Sequence, residues 1–211
     1  MRRRLLNRLL TRASAPGDTG LASQVLPSLA RAVPRTPSGA RLVRELHADD
    51  RWAARYLAAR VIPRFVPDHL AADEAWHLLL RLADDDAAVV RQGAAFGLGE
   101  LAIAESDART LLERLLDDAA RPRAQRRAAL RSLTLLAVTP STEDLAERLL
   151  RDAVLADEGL APGAEVVVTR GIGPRDRERA LEILRGWVAS SEPILRRHGA
   201  RGIERLREAP V

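Results

Sequence analysis

One phrase, written several times, constrains this chain more than any other feature. Residues 91–101 read RQGAAFGLGEL. Residues 55–65 read RYLAARVIPRF, residues 126–136 RRAALRSLTLL and residues 196–206 RRHGARGIERL, with a weaker copy, EVVVTRGIGP, at 165–174. The anchors at 55, 91, 126, 165 and 196 are spaced by 36, 35, 39 and 31 residues. Self-similarity at such a period marks an array of supersecondary units, each burying its apolar face only against its neighbours.

The columns of the phrase carry the packing. Its fourth position is small or modest: Ala58, Ala94, Ala129, Val168, Gly199. Its seventh is mostly small: Val61, Gly97, Ser132, Gly171, Gly202. Its eighth is aliphatic throughout: Ile62, Leu98, Leu133, Ile172, Ile203. Positions four apart share one helical face, and a small residue beside an aliphatic one lets a second helix approach closely. A leucine-rich segment precedes each phrase: 74–85, 108–118, 143–153 and 179–190. Each reads as the antiparallel partner helix, joined by a short polar turn. Asp50, Asp86 and Ser191, five residues before their anchors, are the expected N-caps. Aromatics are only 3% of the chain, so the core must be aliphatic, which suits helix-on-helix packing.

Column by column, the acidic turn Asp84-Asp85-Asp86, then Val90-Arg91, Ala94-Ala95, Leu98-Gly99 and Leu101 resemble the HEAT-repeat family. The resemblance spans residues 41–206. It implies an all-α, right-handed α-solenoid of about five stacked antiparallel helix pairs. It also implies that turn acids and anchor arginines pair between repeats. Asp50 and Asp86, with Arg55, Arg91, Arg126 and Arg196, match those inter-repeat positions; Glu165 departs from them. The second helix of each pair is implied to line the concave surface.

Residues 1–40 read as an N-terminal helical cap and 41–211 as the repeat domain. Within the cap, Pro27 is expected to interrupt a helix and 34–40 to form a loop. The start, MRRRLLNRLL, is basic and amphipathic; it fits a capping helix and also admits a peripheral membrane contact. No apolar run approaches the length of a membrane span. Segment 157–174 is irregular and reads as a short degenerate helix rather than a strand.

All 34 basic residues are arginine, the net charge is +5, and Cys is absent. Schiff-base lysines, the P-loop lysine and thiolate chemistry are therefore excluded. The lack of disulfides suits a reducing, cytoplasmic setting. At 100° per residue, the sixth column points away from the core: Arg60, Phe96, Arg131, Arg170, Arg201. Tyr56, Gln92, Arg127 and Arg197 lie nearby, and Arg64 and Arg205 border the same face. An arginine ladder offers planar forks to carboxylates or phosphates.

Catalytic patterns are sparse. His47, His69, His77 and His198 are scattered over different repeats, so neither a metal nor a cofactor is expected. His198 alone lies beside the arginine face. The leading expectation is a non-enzymatic scaffold engaging an acidic protein segment or a nucleic-acid backbone. The alternative is a glycosylase resembling the DNA alkylation repair enzymes, also built from HEAT-like repeats. Its lesion site would draw on Trp52, Tyr56 and Phe96 with Glu100 as carboxylate.

Overall fold

The computed structural model describes residues 3–15 and 19–208. Met1 and Arg2 of the basic N-terminal segment lie outside that range, as do residues 16–18. Among the described residues, all regular structure is helical. The fold class is the expected one: all-α, with antiparallel helix pairs following one another in solenoid fashion. The chain divides into two compact units, residues 1–101 and 102–211.

The first unit contains α1 (Arg3–Ala13), α2 (Thr19–Ala32), α3 (Pro37–His47), α4 (Trp52–Val61) and α5 (Ala72–Ala83). A 3₁₀ turn, Ile62–Phe65, extends α4. Helix α6 (Ala88–Ala104) carries the chain toward the second unit. Helix α4 packs against α3, α2, α1 and α5. Its face toward them is alanine-rich: Ala53, Ala54, Ala58 and Ala59 are all buried, with Leu57 and Ile62. Close approach is also written at Gly97, where an added Cβ would stand 2.6 Å from the Ala59 carbonyl and 2.7 Å from Leu79 Cδ2.

Two expectations for the cap change. Helix α2 runs through Pro27, which is exposed while Leu26 and Leu29 beside it are buried, so packing holds the helix on either side. Residues 37–40 are the first turn of α3, not a loop: Thr36 Oγ1 accepts the Gly39 N–H at 3.2 Å, and Pro37 follows at the first helical position. The apolar face of α1 is spent on the fold, with Leu6, Leu10 and Ala13 buried. Arg51 further ties α1 down, donating to the Asn7 carbonyl and to Thr11 Oγ1, each at 3.1 Å. Among the described residues of this helix Leu5 is exposed and Leu9 half-buried.

The second unit contains α7 (Ser106–Asp117), α8 (Arg123–Ala137), α9 (Glu143–Ala156), α10 (Ala161–Val166), α11 (Arg177–Val188) and α12 (Pro193–Glu208). Helix α10 passes directly into a π-helical turn, Val167–Ile172. Packing runs between neighbours: α7 with α8 and α9, α8 with α9 and α10, α10 with α9 and α12, and α11 with α12. The fourth and eighth columns supply the core as read, with Ala129, Leu133, Val168, Ile172 and Gly199 buried; Ile203 is half-buried. Trp187 is buried within α11 and Trp76 within α5 of the first unit. Among the described residues, no helix is long and apolar enough to cross a membrane.

The turns have a shared chemistry. Asp85 Oδ1 accepts the Ala87 N–H at 2.9 Å, Asp49 Oδ1 that of Arg51 at 2.9 Å, and Ser190 Oγ that of Glu192 at 3.1 Å. These acceptors sit six residues before their anchors, one earlier than the expected Asp50 and Ser191; Asp86 also accepts the Ala87 N–H. The anchor arginines bind the turn carbonyls: Arg55 those of Asp49 and Asp50, Arg91 those of Asp85 and Asp86, Arg196 those of Ser190 and Ser191. Two of them also reach the next turn. Arg55 meets Asp85 at 2.5 Å and Asp86 at 2.7 Å, and Arg126 meets Asp157 at 2.7 Å. Burial pushes the Asp85 carboxyl up, but the Arg55 guanidinium and the Ala87 N–H hold it below the usual carboxylate range.

Candidate functional site

The two units place the arginine-face residues in different surroundings. In the first unit, the Arg60 guanidinium lies over the Phe96 ring, 3.5 Å from its centroid. Arg64 donates to the Ala30 carbonyl. Tyr56, Arg60, Arg64 and Glu100 share a cavity of about 270 Å³ with Leu26 and Arg31. Burial raises the Glu100 carboxyl above its ordinary range, against the opposing pull of Arg60 and Arg64. This cavity therefore carries its own acid. Gln92 is exposed, and Trp52 is half-buried at the start of α4.

In the second unit an acid also compensates part of the face. Glu165 stands in the column where the other copies have arginine, and it is completely buried. His198 Nδ1 meets its Oε2 at 2.6 Å, Arg205 Nη1 meets its Oε1 at 2.6 Å, and Arg201 Nε lies 3.7 Å away. His198, expected beside the arginine face, is buried and committed to Glu165. Arg201 and Arg205 are thus counter-charged from within.

The rest of the second unit's arginine face differs. Arg127 and Arg131 are exposed on α8, and among the described residues neither has an ion-pair or hydrogen-bond partner. Arg170 and Arg197 are exposed too, without a described partner. Arg123, Arg127 and Arg131 form one wall of a groove of about 470 Å³. The opposite wall is Leu160, Pro162, Gly163, Val166 and Val167, with Leu130 between. The end of the groove is fixed where Arg123 Nη2 donates to the Gly159 carbonyl at 3.2 Å.

The sequence explains why this wall sits where it does. Arg123, Arg127 and Arg131 are four residues apart, hence on one helical face. Gly163 permits the close approach of α10, since a Cβ there would stand 2.9 Å from Leu130 Cδ2. The π turn that follows seats Val167 and Val168 inward while leaving Val166 40% exposed to the groove. Among the six basic or aromatic rungs of the second unit, the free ones are those with no acid in reach. Arg123 was not singled out in the sequence, because it precedes the repeated phrase; its spacing from Arg127 was the available signal. Among the described residues no three His, Asp or Glu side chains gather as metal ligands.

No protein-family model matches the chain, nor does any curated protein sequence. Solved structures similar to it include two designed armadillo repeat proteins and an engineered protein. One is a designed armadillo repeat protein in complex with the peptide (KR)4, at 16% identity and a TM-score of 0.38, covering 94% of this chain and 98% of that one. Another is an engineered protein at 18% identity and a TM-score of 0.41, covering 95% of each chain. A third, again a designed armadillo repeat protein, has 17% identity and a TM-score of 0.35, covering 94% and 98%. These scores are low, and the fold assignment rests on the helix pairing itself.

Proposed function

We propose that this chain is a non-enzymatic binding scaffold that engages an acidic partner through the arginine face of its second helices. One observation carries the reading: the arginines divide into two kinds. Arg55, Arg91, Arg126 and Arg196 are consumed by turn carbonyls and acids. Arg127, Arg131, Arg170 and Arg197 are exposed, with no acid among the described residues to neutralise them. A guanidinium left without a counter-charge offers a planar fork to a carboxylate or phosphate. In this reading Arg201 and Arg205 flank that face within the second unit, Arg60, Arg64, Tyr56, Phe96 and Gln92 belong to the corresponding face of the first unit considered by itself, and a reducing, cytoplasmic setting suits the cysteine-free chain.

The test is a titration of the full chain with polyglutamate and with duplex DNA at two salt concentrations. Binding of one of them, weakened by salt and abolished by Arg127→Glu with Arg131→Glu in a protein that remains folded, is the expected result. Failure of the wild-type chain to bind either polymer at low salt refutes the reading.

The first unit's cavity favours a second reading, a base-excising glycosylase, because it sets the raised carboxyl of Glu100 beside Tyr56. Arg60 already covers one face of Phe96. Base release from alkylated duplex DNA, lost in Glu100→Gln, would replace the scaffold reading.

A further inference from the structure

The groove of the second unit has a definite period and a definite chemistry, and together they specify a ligand more closely than "acidic". Arg123, Arg127 and Arg131 are successive four-residue steps along α8. At 1.5 Å per residue their Cα atoms rise about 6 Å per step. In an extended chain, alternate side chains lie on one side and recur about every 6.6 Å. Three carboxylates at alternate positions of a strand therefore meet three guanidiniums in register. Three contiguous acids place only two there, because the middle one points away from the wall.

The facing wall decides between a protein and a nucleic acid. It is aliphatic, built from Leu160, Pro162, Val166 and Val167, and no aromatic side chain lines the groove. Single-stranded nucleic acids are gripped by aromatic platforms on which bases stack, and nothing here supplies one. Aliphatic side chains lying between acidic ones would instead bury against Val166, which is 40% exposed in the groove. Charge complementarity argues the same occupant, since Arg127 and Arg131 have no acid among the described residues. The groove is also of peptide size, about 470 Å³.

We propose that this groove, between α8 and the Leu160–Val167 segment, binds an extended segment of a partner protein in which acidic residues alternate with aliphatic ones. The proposal rests on the arginine-face reading above and sharpens it to one site, one strand-like conformation and one sequence pattern.

The experiment compares peptides of identical composition against the full-length chain at low salt. One contains Glu-Val-Glu-Val-Glu, the other Val-Glu-Glu-Glu-Val, each with the same neutral flanks and a fluorescent label, read by anisotropy. A Gln-Val-Gln-Val-Gln peptide and an oligothymidylate of similar length are the further probes. The alternating acidic peptide is expected to bind about fivefold tighter than its contiguous isomer, the equivalent of one exposed ion pair put in register. The Gln peptide should not bind. Arg127→Gln with Arg131→Gln should remove the preference and most of the binding, while circular dichroism and melting remain those of the wild type. Val166→Ser should weaken the alternating peptide more than the contiguous one, whose middle Glu takes the place on the aliphatic side between its two Val.

Equal binding of the two Glu isomers, still lost in the arginine variant, overturns the strand-register proposal and leaves the acidic-partner reading standing. Tighter binding of the oligothymidylate overturns the choice of a protein ligand. Binding of neither peptide nor oligonucleotide overturns this proposal; polyglutamate and duplex DNA then decide the broader reading separately. If the double arginine variant binds like wild type, the groove is not the site.

Discussion

Arg126 and Arg127 are chain neighbours on α8, and they stand in opposite surroundings, the first buried and the second exposed. Arg126 is 4% exposed. Its Nε and Nη2 donate to the Leu116 carbonyl at 3.4 and 3.2 Å, and its Nη1 meets Asp157 at 2.7 Å. Arg126→Met keeps the aliphatic stem and removes every donor. The Leu116 carbonyl is then left unpaired, a loss of about 2 kcal/mol for a buried acceptor. The Asp157 side chain is 30% exposed and can rehydrate, so its share is about 1 kcal/mol, nearer the exposed pair than the buried one. The sum is about 3 kcal/mol, or a melting temperature lower by roughly 6–12 °C for a chain of this size. Arg127→Met removes an exposed guanidinium with no described partner and should cost about 0.5 kcal/mol or less. Thermal melts followed by circular dichroism separate the two, and the peptide titration should invert the order: Arg127→Met binds poorly, Arg126→Met nearly normally below its melting point. Equal melting temperatures for the two variants would refute the division of the arginines into structural and ligand-facing kinds.

Further outcomes can be checked on the same protein. Glu165→Gln removes the buried counter-charge of Arg205 and the carboxylate that His198 Nδ1 meets, and should cost about 3 kcal/mol by chemical denaturation, while Arg201 and Arg205, released, steepen the salt dependence of acidic-polymer binding. Gly186→Ala, at an exposed position in α11 with nothing within 4 Å of the new Cβ, should stabilise by about 0.5–1 kcal/mol in the same assay. Melting should also depend on pH in two stages. The Arg51 side chain holds Asp49 low, Arg44 holds Glu74 low, and the Gly159 N–H and then Arg126 hold Asp157 low. Lowered carboxylates stabilise fully above their unfolded values and lose that stabilisation as pH falls, so the main drop should come below about pH 4. Burial keeps His47 below its ordinary value, with Arg81 adding to the effect, so a smaller loss should begin as pH falls through about 6.5. A melting temperature unchanged between pH 7 and pH 3 would contradict both stages.

The helix pairs were legible because their signal is periodic and redundant: small and aliphatic columns recur across four or five copies, and burial follows them. The misses fall where a local rule competes with packing. Pro27 reads as a breaker, yet buried Leu26 and Leu29 hold α2 through it. Thr36-Pro37 reads as loop punctuation, yet the same pair is an N-cap followed by a favoured first-turn proline. The turn acceptors sit one residue before the position chosen from the sequence, because Asp85 and Ser190 bond the N–H two residues on while the next residue gives only, or also, its carbonyl to the anchor arginine.

The candidate site was legible as a column but not as a set of free charges, because facing direction is a property of one helix while neutralisation is a property of two. Glu165 and Glu100 show why. Neither lies in the sixth column, so the column contains no acid. Glu165 comes from the weak copy, in the slot where other copies carry arginine, and the fold delivers it to Arg205 and Arg201 on α12. Glu100 stands four residues after Phe96 on α6 and pulls electrostatically on Arg60 and Arg64. Removing those four arginines from the sequence-level ladder leaves Arg131 and Arg170, with Arg127 and Arg197 beside them. Of these, Arg127 and Arg131 share a groove with Arg123 and an aliphatic wall. A charged surface becomes selective where some of its charges are cancelled, since the remaining ones then set a spacing that a ligand has to match.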